Sequence, residues 1–217
     1  MKIRNLITTT ALFTVLSVPA TVMAGSGKLA VNITPTIGKV DVVHNGAKMS
    51  IMRNQDENNV INSEFANTSR KCPPFCVQPA IVAPGVETIG EVEVLDYLKK
   101  IADGDKSLMV VDSRTPDWVI RGTIPGSVNI PWTKLKDDAD PFEVADTLTK
   151  QFGAAEKGEG FDFSMAKTLV MFCNGTWCGQ SPTNIKRLLK MGYPAEKIKW
   201  YRGGMQDWEA LGLTTVK

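Results

Sequence analysis

The chain contains few histidines and cysteines, the side chains that bind zinc most often. Among its 217 residues His44 is the only histidine, and cysteine occurs four times. The cysteines form two close pairs, with C-x3-C spacing at Cys72 and Cys76 and C-x4-C spacing at Cys173 and Cys178. Zinc sites usually combine C-x2-C pairs or histidines. The sequence therefore predicts no metal site, and we expect no cofactor.

Long apolar runs are also scarce, and the longest lies at the amino terminus. Residues 1–24 begin with two basic side chains, continue with an apolar or hydroxylated run over 6–18, and end in small residues at Val22 and Ala24. This order is typical of a secretory signal peptide, and the run is shorter than the about 20 apolar residues of a membrane span. We expect export to the periplasm and no membrane attachment after cleavage; an uncleaved anchor is the alternative.

Neither sign of charge dominates. Twenty-five Lys and Arg stand against 23 Asp and Glu, a formal net charge of +2. Removal of Lys2 and Arg4 with the signal peptide leaves a formally neutral chain. Because nucleic-acid binding draws on an excess of basic side chains, we expect no nucleic-acid partner.

Export bears on the state of the cysteines. In an oxidising compartment close pairs form disulfides unless a reductant maintains them. Four cysteines permit three complete connectivities, and the sequence does not choose among them. Cys72 and Cys76 flank two prolines in "KCPPFC". Two roles stay open for this pair: a structural disulfide, or exchange with Cys173 and Cys178.

Residues 25–85 differ in pattern from the rest of the chain. Two β-prone runs flank Asn45 and Gly46, which predicts a β-hairpin. The polar, Asn-rich segment 55–69 predicts a loop, and the proline-rich segment after it predicts little regular structure. We interpret 25–85 as an N-terminal extension that packs on the domain following it.

From residue 86 to 217 apolar runs alternate with helical patterns. The patterns predict strands at 107–114, 127–131, 167–173 and 197–204, and helices at 88–104, 140–153, 181–192 and 205–212, the first with Ile89 and Val92 on its apolar face. Such alternation predicts an α/β domain with a central parallel sheet and helices on both faces. Ligands of such sheets bind at the carboxyl ends of strands, where Cys173 lies.

The segment after Cys173 has the features of an anion-binding loop. Asn174, Gly175, Thr176, Trp177, Cys178, Gly179 and Gln180 follow the strand, and then Ser181 is predicted as the N-cap of a helix. Free amides at a helix N-terminus favour an anion and lower the pKa of a nearby thiol. We therefore expect an exposed Cys173 thiol within a ring of amides, with residues 174–181 binding substrate. A buried structural cysteine is the alternative.

Three ordered motifs in residues 86–217 resemble the rhodanese-like domain family. They are "VVDSRTPDWVIRGTIPGSVNIPW", "LVMFCNGTWCGQS" and "YRGGMQDWEALGLTTV". The resemblance implies a sulfurtransferase whose persulfide forms on Cys173. It also implies that Asp112 and Arg114, in the Asp-x-Arg motif, help to organise the site, either as a buried ion pair or directly.

The chain departs from that family pattern in three ways. Thr123 replaces the usual histidine of the Gly-His-Ile-Pro-Gly run, and no Arg or Lys occurs from 173 to 181. Without a basic side chain the loop is unsuited to phosphate chemistry, and thiosulfate would be held by amides alone. The third departure is Cys178, which is close enough in sequence to resolve a persulfide on Cys173 as a disulfide. A passive loop residue, or one that only locks the loop, is the alternative.

These features favour an exported sulfurtransferase in which Cys173 takes sulfane sulfur from a small sulfur-containing donor or a protein persulfide and passes it to a thiol acceptor. The alternative is a periplasmic thiol–disulfide redox protein that cycles a Cys173–Cys178 disulfide with a periplasmic redox partner. A non-enzymatic module that uses the fold as a scaffold is the third reading, because a fold alone does not settle function.

Overall fold

The structure, a computed structural model, describes residues 30–217. The predicted signal peptide at 1–24 and the first residues of the extension lie outside this range. Within the described part of the chain, no helix combines the length and the apolar character needed to cross a bilayer.

The extension begins with an antiparallel hairpin of β1 (Lys39–His44) and β2 (Ala47–Met52). Asn45 and Gly46 connect the strands with φ angles of 50° and 81°. Positive φ at both central residues is the requirement of a tight hairpin turn, and Asn-Gly meets it at low cost. The predicted hairpin is confirmed.

The polar segment predicted as loop contains one helical turn, α1 (Ser63–Ala66). The Asn62 side chain caps this turn by accepting a hydrogen bond from the Glu64 amide, and Phe65 is buried beneath it. A single buried aromatic among polar residues is too little periodicity to predict a helix, so the loop prediction was wrong for these residues.

The domain that follows contains, in chain order, β3 (Glu87–Ile89), α2 (Glu91–Ala102), β4 (Leu108–Asp112), α3 (Pro116–Val119), β5 (Val128–Asn129), α4 (Pro141–Asp146), β6 (Ala155–Lys157), β7 (Gly160–Asp162), β8 (Thr168–Phe172), α5 (Gln180–Lys190), β9 (Ile198–Tyr201) and α6 (Gly204–Ala210). A π-helical turn (Thr147–Gln151) extends α4, and two 3-10 turns (Trp132–Lys134 and Ala195–Lys197) precede α4 and β9.

The central sheet has the strand order β3-β9-β8-β4-β5, and every pair in it is parallel. Strand β8 is central, and residues 169–172 are fully buried. A strand covered on both faces reads as a short continuous apolar run, which is how this segment was identified. The predicted α/β fold is confirmed, and it places Cys173 at the carboxyl end of the central strand.

Strand alternation divides the core into two layers. Leu169 and Met171 point to one face of the sheet, which α5 covers. Val170 and Phe172 point to the other face, which α2 and α6 cover. Because side chains on both faces are packed, the strand end that carries Cys173 is rigidly positioned.

The hairpin of the extension joins the second of these layers. Val42 and Ile51 are buried in the same cluster as the residues of α2 and α6. The His44 ring also reaches the domain, because its Nδ1 accepts a hydrogen bond from the Gly126 amide at 3.1 Å. The histidine of the turn is therefore also a contact between the extension and the domain.

The first helix of the domain starts later than predicted. Ile89 belongs to the edge strand β3, and Gly90 separates that strand from α2. The Glu93 carboxylate accepts a hydrogen bond from the Gly90 amide at 3.0 Å, which fixes the helix start at Glu91. Val92, predicted on the apolar face, is 47% exposed. The small hairpin of β6 and β7 had no prediction at all.

Candidate functional site

The amino end of α6 holds the backbone of Cys173 in place. The amides of Met205 and Gln206 donate to the carbonyl oxygens of Cys173 and Asn174 at 3.0 and 2.9 Å. Gly204 has a φ of +56°, and a Cβ there would collide with the Cys173 carbonyl oxygen. A glycine is needed at this close approach, and it comes from the Gly-Gly pair of the third sequence motif.

The Cys173 thiol is 2% exposed, so the prediction of an exposed thiol was wrong. Trp177 and Cys178 pack with it in one buried cluster. Polar groups nevertheless reach the sulfur: Ser181 Oγ donates to Cys173 Sγ at 3.1 Å, and the protonated thiol donates to the Cys178 carbonyl oxygen at 3.4 Å. The thiol is buried among hydrogen-bonding partners rather than in hydrocarbon alone.

Ser181 has a different role from the one predicted. The helix begins at Gln180 with Gly179 as its N-cap, so Ser181 lies inside the first turn and is fully buried. Its Oγ accepts a hydrogen bond from Trp200 Nε1 at 3.1 Å, which leaves the hydroxyl proton for Cys173 Sγ. Sequence reasoning missed Trp200, because only the pairing of β9 with β8 brings it beside the loop.

Opposing effects act on the pKa of the Cys173 thiol. Burial by itself raises it, because the charged form loses its solvation. Hydrogen bonds from the Cys178 thiol, the Ser181 hydroxyl and the amides of Ser181 and Gly175 outweigh burial and lower the pKa from 9.0 to about 7. This pKa gives a substantial thiolate fraction at neutral pH.

The pKa of the Cys178 thiol is shifted in the opposite direction. Its pKa is raised, chiefly because its thiol donates a hydrogen bond to Cys173, and further by burial and by the negative charge of the Cys173 thiolate. The two thiols are therefore unequal: the Cys173 thiol ionises more readily than an ordinary cysteine, and the Cys178 thiol ionises less readily.

Asp112 and Arg114 form an ion pair beneath the loop. Arg114 Nη2 lies 2.6 Å from Asp112 Oδ2, and both side chains are buried. Arg114 Nη1 donates to Asn174 Oδ1 at 3.3 Å, and Thr123 Oγ1 donates to Asp112 Oδ2 at 2.7 Å. Neither charged group has a hydrogen bond to Cys173; the pair supports the loop through Asn174, and Thr123 completes its network.

Residues 94–211 match the family profile described as the Rhodanese-like domain. The matched segment is more than half of the chain and includes Asp112, Arg114, Cys173 and Cys178. The chain belongs to the rhodanese-like domain family.

Solved structures with similar folds come from several organisms. A rhodanese-related protein from Thermoplasma volcanium shares 21% identity with a TM-score of 0.38, over 60% of this chain and 97% of that one. The 3-mercaptopyruvate sulfotransferase of Escherichia coli shares 20% identity, with a TM-score of 0.37 over 56% of this chain and 43% of that one. The As-Sb reductase of Leishmania major shares 23% identity, with a TM-score of 0.39 over 56% of this chain and 76% of that one. No curated protein matches.

A segment outside the matched part of the rhodanese-like domain lies over the loop. Phe75 packs edge-to-face on Trp177, with ring centroids 5.5 Å apart, and the Arg70 guanidinium stacks over the same indole at 3.8 Å. The Gln78 amide donates to the Thr176 carbonyl oxygen at 2.8 Å. We call residues 70–78 the cover segment. Trp177 is thereby held between the extension and the domain, where its Nε1 also donates to Gln206 Oε1 at 2.8 Å.

The cover segment contains the structure's disulfide, between Cys72 and Cys76, with a Cα–Cα distance of 4.7 Å. Cys173 and Cys178 are free thiols. Cys72 and Cys76 are therefore bonded to each other rather than to Cys173 or Cys178. This disulfide closes a loop whose Phe75 ring contacts Trp177 of the loop that follows Cys173.

A pocket of about 390 Å³ opens beside the two thiols. Cys178, Gly179 and Gln180 line it, and so does Phe75 of the cover segment. Cys173 is not among the residues that line this pocket. Within residues 30–217, no group of three or more His, Cys, Asp or Glu side chains is arranged to hold a metal ion.

Proposed function

We propose that this protein transfers sulfane sulfur through a persulfide on Cys173. Membership of the rhodanese-like family supports a sulfurtransferase-type activity at the level of the family. The observation that carries the proposal for this chain is the set of hydrogen bonds that lowers the pKa of the buried Cys173 thiol to about 7. A thiolate is the nucleophile in sulfur exchange.

The first half-reaction is a displacement at sulfur. The Cys173 thiolate attacks the outer sulfur of a donor R–S–S–H, a new S–S bond forms, and the donor's S–S bond breaks to release R–S⁻. The Cys173 persulfide then passes its outer sulfur to an acceptor thiolate, which restores the Cys173 thiolate. The amides of Gly175 and Ser181 and the Ser181 hydroxyl, which stabilise the thiolate, are suited to the anionic persulfide as well.

Cys178 provides a second exit for the sulfur. Its thiol attacks the inner sulfur of the Cys173 persulfide, the outer sulfur leaves as sulfide with the Cys178 proton, and a Cys173–Cys178 disulfide remains. An external dithiol has to reduce this disulfide before the next turnover. The two thiols pack in one buried cluster, and this proximity supports the step.

Mass spectrometry of the reduced protein after incubation with a sulfur donor is the test. We expect a mass gain of one sulfur atom on Cys173, none on this peptide in Cys173→Ser, and a longer-lived adduct in Cys178→Ser. Thiosulfate, polysulfide and an organic hydropersulfide serve as three donors. Absence of the adduct with all three would refute the proposal.

A thiol–disulfide redox protein is the second candidate, favoured by the contact between two free thiols. Here Cys173 and Cys178 exchange two electrons with a redox partner, and no sulfur is carried. The reduction potential of the pair separates a working from a structural bond, because structural disulfides have potentials below about −300 mV. A higher potential together with no sulfur adduct would favour this candidate.

We propose the periplasm as the compartment in which either reaction takes place. The proposal rests on the signal-peptide pattern of residues 1–24 and on the Cys72–Cys76 disulfide, which suits an oxidising compartment. Cell fractionation with amino-terminal sequencing is the test. A mature chain that begins after Ala24 in the periplasmic fraction is expected, whereas an intact amino terminus in the cytoplasm would contradict it.

A further inference from the structure

The pocket beside Cys178 has aromatic walls. Phe75 of the cover segment, Trp118 of α3 and Trp132 of the following 3-10 turn line it, together with Cys178 and Gln180. Its volume of about 390 Å³ is within the range of small-molecule sites, which are commonly about 300–1,000 Å³. Planar apolar groups fit such walls, since aromatic rings offer flat apolar faces.

The pocket wall has no charged side chain among the described residues. Among the described residues that line the pocket, none is Asp, Glu, Lys, Arg or His. An anion such as thiosulfate would lose its hydration in this pocket and would meet no opposite charge there. Desolvation of an unpaired charge is unfavourable. An uncharged ligand avoids this penalty.

Two side chains that line the pocket each carry a buried polar atom with no hydrogen-bond partner among the described residues. Trp132 Nε1 is a buried donor and Gln180 Oε1 is a buried acceptor. Indole N–H donates only, and an amide oxygen accepts only. Buried polar groups are normally paired, so the two atoms call for a ligand that offers one acceptor and one donor.

We propose that this pocket binds an uncharged organic sulfur compound with a planar apolar group. The apolar group lies between Phe75, Trp118 and Trp132, and the polar end meets Trp132 Nε1 and Gln180 Oε1 with its sulfur beside Cys178. The inference rests on the proposed function for the sulfur chemistry. It adds that the extension, through the cover segment, supplies part of the substrate site.

Thiobenzamide is a suitable probe, because it is planar and uncharged and carries a thiocarbonyl acceptor, an N–H donor and no thiol to exchange. Calorimetric titration of the full chain with thiobenzamide, benzoate and thiosulfate compares a neutral ligand with two anions. We expect thiobenzamide to bind at least about tenfold more tightly than either anion, since the anions have no counter-charge in the wall. Equal or tighter binding of the anions would overturn the proposal.

Substitutions in the pocket wall test whether thiobenzamide binds at this site. Trp132→Phe keeps a smaller aromatic ring and removes the donor, Gln180→Met removes the acceptor, and Phe75→Ala removes an aromatic ring from the wall. Each is expected to weaken thiobenzamide binding by about three- to tenfold. Phe142→Ala is the matched control, because Phe142 is 84% exposed and is not part of the pocket wall. Unchanged binding in all three pocket variants would contradict the site.

This binding test is independent of sulfur transfer. Thiobenzamide binding without any sulfur adduct on Cys173 would retain the pocket and refute the proposed function. A sulfur adduct on Cys173 without selective thiobenzamide binding would support the proposed function and refute the proposed pocket.

Discussion

Ser181 shows how one side chain sets the chemistry of another. Its hydroxyl accepts a hydrogen bond from Trp200 Nε1 and donates one to Cys173 Sγ. The indole N–H therefore orients the Ser181 hydroxyl proton towards the sulfur. Burial opposes ionisation of Cys173, and only the summed hydrogen bonds reverse that effect. The ionisation of the thiol therefore depends on few groups, of which the Ser181 and Cys178 side chains can be removed separately.

Ser181→Ala should raise the pKa of Cys173 above about 7, because one donor to the thiolate is lost while burial remains. The thiolate absorbance in the ultraviolet, followed against pH, measures the change; Cys178 does not interfere because its pKa is raised. At neutral pH the variant should contain less thiolate and react more slowly with a sulfur donor. Thr183→Ala, on the same helix but exposed, is the control, and a midpoint that stays at that of the wild type would refute the role of Ser181.

Arg114→Met should destabilise the protein by about 3–5 kcal/mol, because it leaves the Asp112 carboxylate buried without its partner. Chemical denaturation measures the change in the free energy of unfolding. Lys99→Met is the control: Lys99 and Asp103 also form an ion pair, but one exposed to solvent, and its loss should be barely measurable. If both substitutions have equally small effects, the buried pair is not a support of the loop.

The thiol is positioned at the junction of β8, the loop that follows Cys173 and α6. The strand is central and buried on both faces, and the first amides of α6 bind the carbonyl oxygens of Cys173 and Asn174. Backbone contact at this distance excludes any side chain at residue 204. Two elements far apart in sequence thus hold the loop backbone between them.

Gly204→Ala should lower stability more than Gly104→Ala does. Both glycines have positive φ, at +56° and +107°, so both substitutions introduce backbone strain of about 1–2 kcal/mol. Only at 204 does the new Cβ also collide with the Cys173 carbonyl oxygen, whereas nothing lies within 4 Å at 104. Unfolding free energies and rates of sulfur loading on Cys173 measure the two effects. Equal losses at both positions would contradict the close approach.

At the scale of the whole molecule, the extension and the rhodanese-like domain build the site together. The cover segment contacts Trp177 and Thr176 and contributes Phe75 to the pocket wall. The two free thiols are 2% and 4% exposed beneath this arrangement. We therefore expect access to these thiols to depend on the order of the cover segment and on its disulfide.

Replacement of Cys72 and Cys76 together by serine should increase the alkylation rate of the free thiols several-fold under native conditions, because the cover segment loses its covalent closure. Peptide mapping with a neutral alkylating reagent measures the rate at each thiol. Phe75→Ala with the disulfide intact should give a smaller increase. Unchanged rates in the double variant would show that the cover segment does not limit access.

Several features followed from the sequence by itself. The β8 strand was recognisable as a short apolar run, the hairpin from Asn45 and Gly46, and the alternation of elements indicated the parallel sheet. These are local signals, since side-chain periodicity and turn chemistry act between residues close in the chain. The ordered motifs placed the family and singled out Cys173 for the same reason.

Other features were decided only by the tertiary structure. Burial of Cys173 was one of them. The hydrogen bond from Trp200 to Ser181 and the position of Phe75 over Trp177 were two more, and both join residues distant in sequence. Local pattern carries no information on such contacts, which arise when sheet order brings β9 beside β8 and the extension over the loop. The sequence determined which thiol stands at the strand end, and packing determined what surrounds it.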